Sequence, residues 1–140
     1  MPEPDAVAGD RTLTALVAAA RTAEANAIAP YSNFTVGAAL LLPDGAIVAG
    51  CNIENATYGL TMCAERVALF KALSEGHRRF EAIAVSASAP RPTPPCGSCR
   101  QLLWEYCGDI PVIMAGTGDA ITRTTLGALL PLPFGPDNLT

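Results

Sequence analysis

Phe34-Thr35-Val36-Gly37-Ala38-Ala39-Leu40-Leu41-Leu42 and Ala46-Ile47-Val48-Ala49-Gly50-Cys51 are two apolar runs on either side of Pro43-Asp44-Gly45. They read as strands, and the Pro and Gly between them suit a tight reversal between antiparallel partners. A hairpin is therefore expected here. Upstream, Leu13, Leu16, Val17, Ala20, Ala27 and Ile28 fall near a 3.6-residue repeat, which predicts a helix opening at Asp10 as N-cap and ended by Pro30. Downstream, residues 62–74 form a helical pattern stopped by Gly76, and residues 82–88 a short apolar strand. A Pro-rich link at 89–95 leads into a helix over about 96–106, closed by Gly108. Strands at 111–115 and 121–124, a short helix at 125–130 and a tail complete the chain. A hairpin followed by alternating helix and strand implies an α/β protein, a mixed sheet covered by helices on both faces.

A length of 140 residues fits one domain, with a loose tail at 1–9 and the domain over 10–140. The formal charge of -4 lacks the basic footprint of a nucleic-acid binder, so no nucleic-acid partner is expected. Charged residues are 16% of the chain, against roughly 25% in a typical soluble domain. Such depletion fits a surface covered by other subunits, although alanine-rich composition gives the same figure in a monomer. No run reaches the ~18 apolar residues of a bilayer span, and the first ten residues are acidic where a secretory leader is basic. No membrane partner and a cytoplasmic location are the expectation. Five cysteines in a reducing compartment point to metal binding, reactivity or core filling before disulfides.

Cys63 falls at the start of one expected helix, and Cys96 and Cys99, in Pro95-Cys96-Gly97-Ser98-Cys99, at the start of another. Helix N-termini present unpaired N–H groups and the positive end of the dipole, which favour thiolates. Two such helices entering from one sheet edge would bring three sulfurs to one ion and leave its fourth position open, as catalytic zinc requires. A fourth ligand from Cys51, Cys107 or His77 would close the shell and make the ion structural. Cys51 lies inside an expected strand and Cys107 at a helix end, places that suit small core residues; His77 follows the helix-ending Gly76 and is expected in solvent. Glu65 favours the catalytic alternative, because a carboxylate two residues from a ligand can reach a water on the open side. Residues i and i+2 of a helix diverge, so this needs Cys63 at or before the first helical residue. Otherwise Glu65 is an ordinary acid near a helix N-terminus.

Cys63-Ala64-Glu65-Arg66 with Pro95-Cys96-Gly97-Ser98-Cys99-Arg100-Gln101 resembles the paired zinc motifs of the short, three-cysteine nucleoside cytidine deaminases. The resemblance extends through Tyr31-Ser32-Asn33-Phe34, Val36 to Leu40, Gly50-Cys51-Asn52-Ile53-Glu54-Asn55-Ala56, Leu130-Pro131 and Pro133-Phe134-Gly135-Pro136, nearly everything from Tyr31 onward. It implies a three-layer α/β/α fold with a mixed five-stranded sheet, one zinc ion per subunit on Cys63, Cys96 and Cys99, and a homotetramer with shared active sites. It also implies that Asn52 and Glu54 hold ribose hydroxyls, that Phe34 packs beside the pyrimidine, that Ala64 contacts substrate, and that Tyr58 and Phe134 reach the site from neighbouring subunits. Each aromatic has a core-packing alternative. Thr35, Thr57 and Pro94 depart from the commonest family pattern; the carbonyl that would recognise the amino group survives at Pro94 because proline keeps its C=O.

The implied reaction is hydrolysis of cytidine and 2'-deoxycytidine to the uridines with loss of ammonia, a step of pyrimidine salvage. Zinc would activate a water, and Glu65 would take its proton, pass it to N3 and help protonate the leaving ammonia. Three thiolates over-donate charge, and Arg66 is the residue that would compensate them; a solvent-facing arginine is the alternative. Competing readings are a deaminase of the same scaffold acting on another cytosine compound such as blasticidin S, and a non-catalytic structural zinc module.

Overall fold

Val36–Leu41 (β1) pairs in antiparallel register with Ile47–Cys51 (β2), Gly37 opposite Cys51 and Leu41 opposite Ile47. In this computed structural model, which describes residues 10–139, the hairpin turn closes through Leu42 N–H to Ala46 O at 2.8 Å and Gly45 N–H to Leu42 O at 3.0 Å. Gly45 takes φ +91°, a left-handed conformation that glycine adopts without steric cost. The tail expected at 1–9 lies outside the described residues.

Three further strands complete the sheet: Ala82–Ala87 (β3), Pro111–Ala115 (β4) and Ile121–Thr125 (β5), in the order β2-β1-β3-β4-β5. β1 and β3 are antiparallel, β3 and β4 parallel, β4 and β5 antiparallel, so the sheet is mixed as expected. The one parallel pair needs a crossover, and Gly97–Cys107 (α3) supplies it between β3 and β4. The other helices are Asp10–Glu24 (α1), Ala64–Ser74 (α2) and the single turn Leu126–Leu129 (α4).

Alternation along the strands splits the core in two. Ala38, Leu40, Ile83, Val112 and Met114 face Ala68, Leu69, Leu103 and Leu126 from α2, α3 and α4. Ala39, Leu41, Ala82, Ala84, Ile113 and Ala115 face Leu13, Leu16, Val17 and Ala20 of α1. The result is three layers, α/β/α, with both faces of the central strands buried. The helices ride close to the sheet at two glycines. A Cβ on Gly37 would sit 1.9 Å from the Ala20 carbonyl oxygen of α1, and one on Gly50 would sit 2.7 Å from the Ala68 nitrogen of α2. Gly50 thus sets the height of the helix that carries the metal motif.

α1 is shorter than the 3.6-residue repeat predicts. It ends at Glu24, and Ala27 and Ile28 lie beyond it. The backbone of Ile28 is taken by another partner: its N–H bonds Asn52 O at 3.0 Å, and its carbonyl accepts from Glu54 N–H at 2.8 Å. Long-range pairing therefore wins over the local apolar period. The Glu24 carboxylate anchors this helix end, accepting from Thr35 Oγ1 at 2.9 Å and from the buried Ser86 Oγ at 2.7 Å. The Thr35 hydroxyl therefore has a partly buried partner in Glu24.

Replacing Gly37 by Ala forces α1 off β1 and is expected to cost about 3 kcal/mol or more, the upper end for overpacking. Denaturant unfolding of the purified variant measures it; a midpoint equal to that of the unsubstituted protein contradicts the close-approach argument.

Candidate active site

Cys63 and Cys96 both occupy N-cap positions, with extended backbone at φ -71°, ψ 150° and φ -65°, ψ 162°. An N-cap side chain ordinarily accepts a hydrogen bond from the first turn. Neither sulfur does so, and both turn outward toward each other. Cys63 Sγ lies 3.7 Å from Cys96 Sγ, and Cys96 Sγ 3.1 Å from Cys99 Sγ, which comes from the first turn of α3. All three sulfurs lie within 4.8 Å of one another. Around a tetrahedral zinc with bonds of about 2.3 Å, sulfurs stand about 3.8 Å apart, so the triad fits such an ion after a small opening of the Cys96–Cys99 pair.

The donor chemistry agrees with the geometry. Cys63 is pulled down to about 5, first by the hydrogen bond from the Cys99 thiol and then by Arg66 and Cys96, against its own partial burial. Cys99, which keeps its proton to donate to Cys63 and is buried, is pushed far up. The triad thus already favours a thiolate at Cys63, and a cation that replaces the shared proton recruits the others. Cys51, Cys107 and His77 do not join the group among the described residues. Burial pushes the Cys107 thiol up to about 12, which suits a small core residue.

Ala64 is the first residue of α2, so Cys63 stands just before the helix, as the Cys63/Glu65 geometry requires. Glu65 is 4% exposed. Its carboxyl is pushed up chiefly by desolvation, with the Cys63 charge adding to the effect; its own N–H, the Cys96 N–H and the Arg66 guanidinium pull the other way. Arg66 Nη2 donates to Cys63 Sγ at 3.7 Å, so this half-buried arginine faces the sulfurs. Its Nε is buried with no hydrogen-bond partner among the described residues. Ala64 has its methyl fully inside the core; what it can offer a substrate is its N–H, which the first turn of a helix leaves without an intrahelical carbonyl.

The residues expected around the sugar are brought together, but they are already engaged. Asn52, 8% exposed, donates from Nδ2 to Phe34 O at 2.8 Å and accepts at Oδ1 from Val36 N–H at 2.9 Å, fixing the start of β1. Glu54 accepts at Oε1 from Tyr31 N–H at 2.9 Å and Ser32 N–H at 3.1 Å, and at Oε2 from the Ser32 hydroxyl. The Ser32 hydroxyl bond is the largest cause holding this carboxyl below its ordinary value. Tyr31, Ser32, Glu54, Tyr58 and Thr61 line a cavity of about 290 Å³, with the Tyr31 and Tyr58 rings edge-to-face at 5.4 Å. Phe34 and Phe134 are exposed, and the carbonyl of Phe134 accepts from Gln101 Nε2. Sequence reasoning gave Ser32, Arg100 and Gln101 no role; only their place inside the quoted motifs signalled them.

Residues 10–116 match the family described as the cytidine and deoxycytidylate deaminase zinc-binding region. Relatives named cytidine deaminase include one from Halalkalibacterium halodurans, 50% identical with 89% of this chain and 95% of that protein covered, and one from Sporosarcina psychrophila, 48% identical with 89% and 93% covered. The crystal structure of a cytidine deaminase from Burkholderia pseudomallei superimposes with a TM-score of 0.83 at 48% identity, covering 86% of this chain and 98% of that one. A blasticidin-S deaminase from Bacillus cereus is 33% identical, with 71% of this chain and 76% of that protein covered.

Replacing Arg66 by Ala removes the cation beside Cys63 and is expected to raise the rate of metal loss to a chelator by about 10-fold or more, the usual scale for a group supporting metal ligands. A colorimetric chelator assay reads it. Unchanged release would mean that the contact at Cys63 does nothing for the metal.

Proposed function

The chain belongs to the cytidine and deoxycytidylate deaminase family, and from that membership we propose that it hydrolyses cytidine and 2'-deoxycytidine to uridine and 2'-deoxyuridine with release of ammonia, using Glu65 as its acid/base. Membership makes it a zinc-binding hydrolytic enzyme. The observation that carries the assignment of roles is the meeting of Cys63, Cys96 and Cys99 at two helix starts, with the buried Glu65 on the residue after next from Cys63. Those cysteines would hold the ion, which when bound supplies a Lewis acid that activates water at neutral pH.

The remaining chemistry falls to the chain's own residues. Glu65 takes one proton from the attacking water and gives it to N3, as the C4–O bond forms. It then helps move the remaining proton of the new C4 hydroxyl to the amino nitrogen, and the C4–N bond breaks as C4=O forms, freeing ammonia. Burial raises its carboxyl toward the range where taking and giving a proton are both easy, which supports this role. Arg66 offsets the excess charge of the thiolates. The Ala64 N–H and the carbonyl at Pro94 are the polar backbone groups we assign to the base.

Glu54 recognises a sugar hydroxyl by exchanging its bond from Ser32 for one from the substrate, and Asn52 contributes the second hydrogen of Nδ2 while keeping its bond to Phe34 O. Phe34 packs beside the pyrimidine. The active unit is a homotetramer, in which Tyr58 and Phe134 reach into neighbouring sites. Tyr58 is 71% and Leu132 99% exposed, and the turn Tyr58–Leu60 buries none of its residues, an apolar surface that a partner would cover. All five cysteines are free, which supports a reducing, cytoplasmic setting; no helix among the described residues is long and apolar enough to cross a membrane.

Glu65→Gln is expected to retain zinc and lose at least about 100-fold in turnover, the scale of general acid–base catalysis. Zinc determination beside an ultraviolet assay on cytidine, 2'-deoxycytidine, cytosine and blasticidin S tests this. Near-normal turnover of the variant would remove Glu65 from the reaction, and activity confined to blasticidin S would move the substrate.

A further inference from the structure

Arg100 sits in the first turn of α3, one residue after Cys99. A cation there opposes the helix dipole, which favours acidic groups at that end. Among the described residues its side chain bonds carbonyl oxygens and no carboxylate. Arg100 Nε donates to Pro95 O at 2.8 Å, Nη1 donates to Leu129 O at 2.9 Å, and its backbone N–H donates to Cys96 O at 3.0 Å. Pro95 and Cys96 carry the carbonyls on either side of the Cys96 Cα. One residue therefore holds both peptide planes that flank Cys96, and those planes define its φ and ψ, hence the direction of the Cα–Cβ bond that carries its Sγ.

The anchors of this arrangement are stiff. Pro95 is fully buried and its φ is locked by the ring, so the peptide before Cys96 has little freedom except the rotation that Arg100 opposes. Leu129 ends α4, whose own start is tied to Asp109 through Gly127 N–H to Oδ1 at 2.7 Å. The neighbouring Gln101 donates to Phe134 O, so two successive side chains of α3 hold the chain at 129 and at 134.

We propose that Arg100 is the positioning residue of the Cys96 sulfur: by holding the Pro95, Cys96 and Leu129 carbonyls together, it fixes the direction in which Cys96 faces the metal and links the 129–134 segment to the metal turn. The planar guanidinium suits this task, since its separate N–H groups reach two carbonyls at once in a fixed geometry, while an ammonium acts as a compact point charge. The inference rests on the reading of Cys63, Cys96 and Cys99 as the metal ligands, and it adds a residue that touches neither metal nor substrate.

The test uses the cobalt(II)-loaded full-length protein, whose visible absorption reports the sulfur geometry, with Arg100→Met, Arg100→Lys and Gln101→Ala. Arg100→Met, which keeps the stem and removes both side-chain bonds, is expected to shift the cobalt bands and to release metal to a chelator about 10-fold faster or more. Arg100→Lys is expected to fall between Met and the unsubstituted protein, and it carries the test if the Met variant does not fold. Gln101→Ala is expected to leave the bands unchanged, because it frees only residue 134. A merely structural arginine predicts lower stability of the metal-free and loaded forms alike, with unchanged bands and release rate; that result overturns the proposal. Failure of the unsubstituted protein to take up cobalt or zinc would instead overturn the metal reading on which it rests.

Discussion

Two helices begin at the same place, and each begins on a cysteine whose sulfur declines to cap it. That constraint organises the site. Cys63 and Cys96 adopt the extended backbone of an N-cap without satisfying the first-turn N–H groups, so the positive ends of α2 and α3 face the sulfurs. The arrangement favours thiolate, and the Arg66 guanidinium at Cys63 adds to it. It also explains why Cys63 and Glu65 serve one site although i and i+2 diverge on a regular helix: Cys63 lies outside the helix and Glu65 inside it.

The sheet makes that meeting possible. β3 and β4 are its one parallel pair, so α3 must cross over between them and begin at the same sheet edge that α2 reaches after β2. α2 can lie low on β2 because Gly50 has no Cβ to meet the Ala68 backbone. Asn52 then continues β2 and fastens its side chain to the backbone at Phe34 and Val36, while Ile28 pairs across Asn52 and Glu54. Segments near residues 30, 54 and 63 are in this way held beside one another, and the candidate sugar-binding and metal-binding residues share a rigid frame.

Most of this frame was legible in the sequence because it is local. Pro43-Asp44-Gly45 fixes its hairpin through its own backbone demands, and the helix stops at Gly76 and Gly108 take φ +95° and +74°. The strand at 111–115 was legible for the same reason. The end of α1 was not: Ala27 and Ile28 keep the helical period, but Ile28 is captured by the distant backbone of Asn52 and Glu54, and nothing local encodes that partner. The site divides along the same line. The meeting of Cys63, Cys96 and Cys99 and the place of Glu65 beside them were legible as candidates, because metal and proton chemistry restricts residue type. Asn52 and Glu54 were legible only as family positions, and their present bonds to Phe34, Val36, Tyr31 and Ser32 were hidden, since an amide or carboxylate accepts many partners. Arg100 stood in plain view within a recognised motif, yet its role depends on carbonyls, which the sequence places at every residue.

Charge balance ties Arg66 to Glu65. With an ion in place, three thiolates exceed its double positive charge by one unit, and the guanidinium at Cys63 supplies the missing unit. Glu65 would then face a cluster that is neutral in sum, which leaves burial, already the largest cause raising its carboxyl, as the main influence on it. Were Arg66 turned to solvent, the excess negative charge would sit close to a carboxyl that is already buried, and losing the proton would become harder still. A residue that must accept a proton from water and return it to the base works best when its two forms are close in energy at neutral pH. The arginine therefore does more than hold a sulfur. In the proposed reaction it would keep the field at Glu65 within the range in which one carboxyl can act first as base and then as acid.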